Sequence, residues 1–167
     1  MKILRFLVIN IIFLFIIVTI ISLFIPSHVR ISRAVNMSAS ASGVLQEVDD
    51  IAKWKYWYPG FDTVKAEPLQ TKDDKLISVK IPGTIVTITG DTKDEVVAEF
   101  KSGNKNPVIS GWKTVVYSHT DSLTLQWYLD FRLRWYPWEK FTSLLYEKTY
   151  GVQMEAGLNN LKKIAER

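Results

Sequence analysis

The chain has 167 residues, 47% of them hydrophobic and 23% charged, with a formal net charge of +4 and no cysteine. The lack of cysteine excludes disulfides, a lipid anchor carried on a Cys and any Cys-ligated zinc. Lys2 and Arg5 are the only charged residues before position 29, so residues 29–167 carry 19 basic and 17 acidic residues, and that balance of +2 implies no nucleic acid or other polyanionic partner.

From Phe6 to Ile25 no residue is charged, and Ile, Leu, Val and Phe fill most positions. Twenty such residues in a helix span roughly 30 Å, the thickness of a bilayer core. Asn10, Thr19 and Ser22 are tolerable interruptions, and Pro26 closes the run. Residues 1–28 therefore read as a single-pass membrane anchor with a short tail and a helix over residues 6–25. A cleaved signal peptide is the rival reading, but its apolar core is shorter, about 7–15 residues, and its small-residue cleavage site follows closely. Ala39-Ser40-Ala41 has the right residue types too far downstream. A helix buried in a soluble domain is the third reading. Lys2 and Arg5 precede the helix, while His28, Arg30 and Arg33 follow it. Short basic N-terminal tails stay in the cytoplasm, which puts the soluble domain on the extracytoplasmic side.

Residues 29–167 suffice for one domain with its own core. Residues 29–36 read as a strand. Ser42 is a candidate N-cap for a helix through Val44, Leu45, Val48 and Ile51, and a second short helical piece holds Trp54 and Trp57 before Pro59-Gly60. Strands follow at 76–81, 84–89, 95–100 and 108–117, with polar turn clusters at 90–94 and 102–107. The strongest pattern runs from 123 to 135: Leu123, Leu125, Trp127, Leu129, Phe131, Leu133 and Trp135 occupy every odd position, with polar or amphipathic residues between. Such alternation predicts a long strand with one face buried, in a curved antiparallel sheet. A final helix is predicted over 139–166, and its apolar stripe changes phase near Gly151, which implies a bend or a second packing surface.

Three local patterns now point one way. Residues 29–36 lead through Ser40-Ala41 into a helix, Trp54-Lys55-Tyr56-Trp57 precede Pro59, and Gly157-Leu158-Asn159-Asn160-Leu161-Lys162 stand near the end. In this order of strand, short helices, meander and long last helix, the chain resembles the START-like, or polyketide cyclase/dehydrase (SRPBCC), superfamily over residues 29–167. The resemblance implies an α+β helix-grip fold: a curved antiparallel sheet of seven strands wrapped on a long C-terminal helix, here preceded by one transmembrane helix. It also implies an apolar cavity between sheet and last helix, where such proteins hold lipids, sterols or polyketides. Family members often have Ala-Pro before the first helix; this chain has Ala41-Ser42, with Gly43 in the first turn.

No catalytic residue is assigned. Ser118, His119 and Asp121 are neighbours that read as turn residues, and a zinc site would need carboxylates at a spacing the chain does not show. No nucleophile elbow, phosphate loop or dinucleotide fingerprint occurs, so neither a metal nor a cofactor is expected. The aromatic residues matter more. Trp54, Trp57, Trp112, Trp127, Tyr146, Tyr150 and Met154 are candidates for lining a ligand pocket, with core packing as the plainer reading. Alternatively Trp54, Tyr56, Trp57, Tyr58 and Phe61 contact the membrane interface. The leading expectation is a membrane-anchored domain binding a hydrophobic or amphipathic small molecule. The alternatives are a cavity-based cyclase, dehydratase or hydrolase, and a cavity-free, membrane-tethered interaction module. Protein partners are not specified by the sequence.

Overall fold

The computed structural model describes residues 2–116 and 122–167. Helix α1 (Lys2–Leu23) comes first, followed by strand β1 (His28–Met37), helix α2 (Ala41–Val48) and a 3-10 turn (Ile51–Tyr56). Six strands then run in succession: β2 (Glu67–Lys72), β3 (Lys75–Ile81), β4 (Thr84–Asp91), β5 (Glu95–Lys101), β6 (Val108–Val116) and β7 (Leu123–Arg132). Helices α3 (Pro137–Ser143) and α4 (Tyr146–Ala165) close the chain. The seven strands form one antiparallel sheet in the order β1-β7-β6-β5-β4-β3-β2, so the first strand pairs with the last. This is the α+β helix-grip architecture, with α4 packed along β1.

Alternation in β7 decides which face of the sheet is the core. Leu123, Leu125, Trp127, Leu129 and Phe131 are all buried, and the residues between them are partly exposed. Opposite them, Val44, Leu45 and Val48 of α2 and Met154, Leu158 and Leu161 of α4 complete the core. The β2–β3 hairpin turns through Asp73 and Asp74, both left-handed at φ 51° and 61°, as two-residue hairpin turns of this twist require. Register shifts between Ile88 and Gly90 in β4 add curvature.

Local expectations are corrected in several places. Ser40, not Ser42, caps α2; its side chain accepts a 3.1 Å hydrogen bond from the Gly43 backbone. The long strand ends at Arg132, so Trp135 lies beyond it and is exposed. The last helix is two: α3 stops at Ser143, and α4 begins after Leu144 and Leu145. Strand β2, exposed along its whole length, is an edge strand with no alternation to announce it. Tyr117, Ser118, His119 and Asp121 lie outside the described residues.

The exit of α1 is tied into the domain. Leu133 donates its backbone N–H to the Ser27 carbonyl at 2.7 Å, extending the β1–β7 pairing. The buried Lys140 ammonium of α3 donates to the Ile25 carbonyl at 2.7 Å and to the Ser27 hydroxyl at 2.6 Å. Helix α1 is 22 residues long and contains an 18-residue stretch of mean hydropathy 3.0, so it is long and apolar enough to cross a membrane.

Candidate functional site

The middle of the molecule is filled by tryptophan. Trp54 and Trp57 project from the 3-10 turn onto the sheet, where Trp112 of β6 stands opposite Trp127 of β7. The Trp112 and Trp127 rings stack at 5.4 Å, and Trp54 and Trp57 meet Trp112 edge-on at 5.2 and 5.8 Å. Their polar handles are mostly satisfied by the protein. Trp54 donates to the Val48 carbonyl at 2.7 Å, Trp57 to the Glu47 carbonyl at 2.9 Å and Trp127 to the Ser110 hydroxyl at 2.8 Å. Only the Trp112 indole N–H of the four is buried without a partner among the described residues. All four rings and Met154 are at most 1% exposed. They form a packed floor, and the interfacial role considered for Trp54, Trp57 and Phe61 is corrected by that burial.

A pocket opens beside this floor, at the end of the sheet nearest α1. It has two lobes of about 220 and 210 Å³ that share Phe100, Ser102, Val108, Phe131 and Tyr150. The inner lobe reaches Tyr58, Ile81 and Leu129, and the outer one reaches Leu133, Glu139 and Tyr146. Tyr146 and Tyr150 come from the first turns of α4 and press on Phe131 with ring centroids at 4.6 and 5.0 Å. The structure therefore brings Tyr146 and Tyr150 to the pocket. Trp54, Trp57, Trp112, Trp127 and Met154 pack in the core. Broader depressions of about 490 and 470 Å³ lie at the opposite end of the sheet, around Ser38–Ala41 and around Asp49 and Lys75.

The inner lobe has apolar walls with a few hydroxyls among them, whereas the outer lobe also carries Lys105, Asn106, Arg132 and Glu139. The hydroxyls of Tyr58, Tyr146 and Tyr150 have no hydrogen-bond partner among the described residues. Burial pushes the Tyr58 phenol well above its usual range, with a smaller contribution from Tyr150. Burial also raises Tyr146, with Tyr150 and Glu139 adding to it. Both rings therefore stay protonated and can donate. Thr84 and Ser102 hydrogen-bond each other at 2.6 Å.

At the rim, Arg134 grips Glu139 through Nε at 2.8 Å, Nη2 at 2.5 Å and its backbone N–H at 2.9 Å. The Arg134 guanidinium holds the Glu139 carboxyl below the usual carboxylate range. An ionised, fully engaged carboxylate is a poor proton donor. Among the described residues no group of three or more His, Asp or Glu side chains is placed to hold a metal ion. The arrangement can enclose an apolar body and donate hydrogen bonds to a polar end. Sequence reasoning missed Tyr58, Phe100 and Val108 as pocket residues. The signal for Phe100 was the inward alternation of β5 and for Tyr58 the aromatic cluster before Pro59; Val108, the first residue of β6, had none.

No family model matches the sequence, and no curated protein does. Solved structures do match. A START superfamily protein from Mycobacterium smegmatis superposes with a TM-score of 0.60 at 18% identity, over 82% of this chain and 97% of that one. The di-domain ARO/CYC StfQ of the steffimycin biosynthetic pathway matches with a TM-score of 0.61 at 12% identity, over 83% of this chain and 51% of that one. This chain thus spans about half of that di-domain protein. A hypothetical protein from Helicobacter pylori, jhp0584, gives 0.59 at 11% identity, over 82% of this chain and 88% of that one. The likeness in fold is to START-like and ARO/CYC domains.

Proposed function

We propose that this chain, whose fold is the START-like helix grip, is a membrane-anchored domain that binds a hydrophobic or amphipathic small molecule in the two-lobed pocket. The observation that carries the reading is the set of unpartnered tyrosine hydroxyls around the apolar walls of Phe100, Val108 and Phe131, above a floor that is already packed and with a polar outer rim of Lys105, Arg132 and Glu139. Ligand sites are mostly apolar with a few placed polar groups, and Tyr58, Tyr146 and Tyr150 supply that pattern. Each lobe is smaller than the roughly 300–1,000 Å³ of drug-sized sites, and the two are joined through shared walls. A slender apolar body with one hydrogen-bonding end fits best.

Helix α1 is the anchor in this reading, and the hydrogen bonds from Lys140 and Leu133 support an uncleaved segment held against the domain. The domain faces the extracytoplasmic side, on the argument from Lys2 and Arg5. No protein partner is required. Tethering keeps the pocket beside a source of lipid-like ligand.

The test is native mass spectrometry of the full chain in detergent micelles, combined with organic extraction. A co-purifying apolar molecule that is lost in Val108→Phe, which narrows both lobes, supports the reading if the variant keeps its thermal transition. An empty protein that also ignores a fluorescent lipid sinks it in favour of a cavity-free interaction module. Turnover of a bound molecule would instead favour the cyclase or dehydratase alternative.

A further inference from the structure

Helix α3 is built inside out for a helix in water. Its domain-facing side holds Lys140, 3% exposed, and Ser143, also buried. Its outer side presents Trp138 at 58% exposure and Phe141, followed by Leu144 and Leu145 at 63% and 61%. Trp138 and Phe141 are three residues apart on one face of α3, and Leu144 and Leu145 in the turn after it are exposed as well. Trp135 adds a further large exposed ring just before the helix. Amphipathic helices in water turn this polarity the other way. Contiguous exposed apolar surface of this kind marks a contact with protein or membrane.

What covers the face follows from what α3 adjoins. Its Lys140 is hydrogen-bonded to Ile25 and Ser27, the residues through which α1 leaves its last turn. Helix α3 thus packs at the end of α1, and its apolar face, on the side away from Lys140, lies beside the point where a membrane-spanning α1 would leave the bilayer. Its composition suits the boundary layer. Tyr136 stacks on Trp138 at 4.8 Å, and the Arg134 guanidinium lies 4.8 Å over the Tyr136 ring. Tyr and Trp with a basic group beside them are the residues enriched at the membrane–water interface.

We propose that α3, with Trp135, Leu144 and Leu145, lies in the interfacial layer of the leaflet from which α1 emerges, and that it holds the outer lobe of the pocket against lipid. The same short segment supplies both surfaces. Leu133, Glu139 and Tyr146 line the outer lobe, while Trp135, Trp138 and Leu145 between and beside them face outward. A ligand then passes between leaflet and pocket along α3 without crossing bulk water. This rests on the reading of α1 as a membrane span.

The chain has no native cysteine, so single nitroxide labels are unambiguous. The full chain is reconstituted in palmitoyl-oleoyl phosphatidylcholine vesicles with labels at L14C, W138C, L145C and, as an aqueous control at the far end of the sheet, K93C. Each label's collisions with lipid-soluble oxygen are compared with those of a water-soluble nickel chelate. The expected result is oxygen-dominated relaxation at L14C, oxygen-dominated but shallower relaxation at W138C and L145C, and nickel-dominated relaxation at K93C. Nickel-dominated W138C and L145C beside an oxygen-dominated L14C overturns the proposal and leaves the span intact. Labels at W138C and L145C shielded from both reagents, with spin–spin broadening, overturn it in favour of a second copy of the chain. A nickel-dominated L14C brings down the span and the proposal together.

Discussion

The guanidinium of Arg33 lies directly across Gly151. Arg33 projects from β1 toward α4 and is held by Glu147 at 2.5 Å and Glu155 at 2.7 Å, the residues one turn before and one turn after Gly151. A Cβ on Gly151 would stand 2.5 Å from the Arg33 Nη2 atom. The long helix is thus stitched to the sheet edge at the point where it has no side chain. Glu147 and Glu155 are well exposed, so each pair contributes only about 0.2–1 kcal/mol. The network fixes position more than it adds stability.

Two glycines of α4 should therefore respond differently to alanine. At Gly157 a Cβ would meet the buried Trp127 ring at 2.7 Å and the half-buried Pro59 ring at 3.1 Å, both rigid. Gly157→Ala is expected to destabilise by about 1–3 kcal/mol through overpacking. At Gly151 the obstacle is the end of a flexible arginine, and alanine gains about 1 kcal/mol of helix propensity. Gly151→Ala is expected to be close to neutral. Urea unfolding of both variants in the same detergent checks the contrast, and equal losses would refute it.

The tryptophan floor makes a second comparison. Trp127→Phe removes ring volume and leaves the buried Ser110 hydroxyl without its indole donor. Trp112→Phe removes similar volume but also removes a buried N–H that lacks a partner among the described residues. An unsatisfied buried group costs roughly 1–3 kcal/mol, so Trp127→Phe should be the more damaging by about that amount. Denaturation midpoints read by tryptophan fluorescence decide it, and a larger loss in Trp112→Phe would show that the indole N–H is stabilising.

How far the sequence reveals this molecule depends on where water is. Strand β7 was legible because one face is wet and the other dry, so its burial alternates residue by residue. Strand β2 was not, because all of its residues are exposed and nothing selects an alternating pattern. The Gly157 motif was readable, and its reason is the close approach of α4 to Trp127 and Pro59. Pattern reading failed at Trp135 and at the break at Leu144 and Leu145, because it equates apolar with buried, whereas those side chains face outward. Of the aromatic residues singled out in the sequence, Tyr146 and Tyr150 line the pocket, whereas the tryptophans, which drew attention by their number, pack in the core. Whether a large ring fills a core or lines a space depends on packing that no local pattern encodes.

Acid should destabilise the domain in a defined direction. The Arg30 hydrogen bond holds Asp130 below its ordinary 3.8, and Arg134 holds Glu139 below its ordinary 4.5. Groups with depressed folded values bind fewer protons folded than unfolded, so their contribution is complete above the ordinary values. It is lost as pH falls through the depressed ones. Stability should therefore be insensitive to these two groups near neutrality and decline as pH falls through and below the ordinary carboxylate range. Asp130→Asn should flatten part of that slope when urea midpoints are measured across the range. An unchanged slope would mean that other carboxylates carry it.

The coupling between anchor and domain turns on Lys140. Its ammonium is buried, it has no acidic partner among the described residues, and it donates instead to the Ile25 carbonyl and the Ser27 hydroxyl. A cation placed on carbonyls just past the end of α1 also favours that end of the helix dipole. Lys140→Met keeps most of the volume but removes both hydrogen bonds; Ser27 is exposed and Ile25 half-buried, so water can take the donor's place and the cost is about 1 kcal/mol. The β1–β7 pairing of the sheet does not depend on this contact, so the sheet should persist while the joint between α1 and α3 loosens. Limited proteolysis of the full chain in micelles should then cut faster around residues 24–28, with far-ultraviolet circular dichroism unchanged. Unaltered cleavage would show that the Leu133–Ser27 hydrogen bond alone secures the exit of α1.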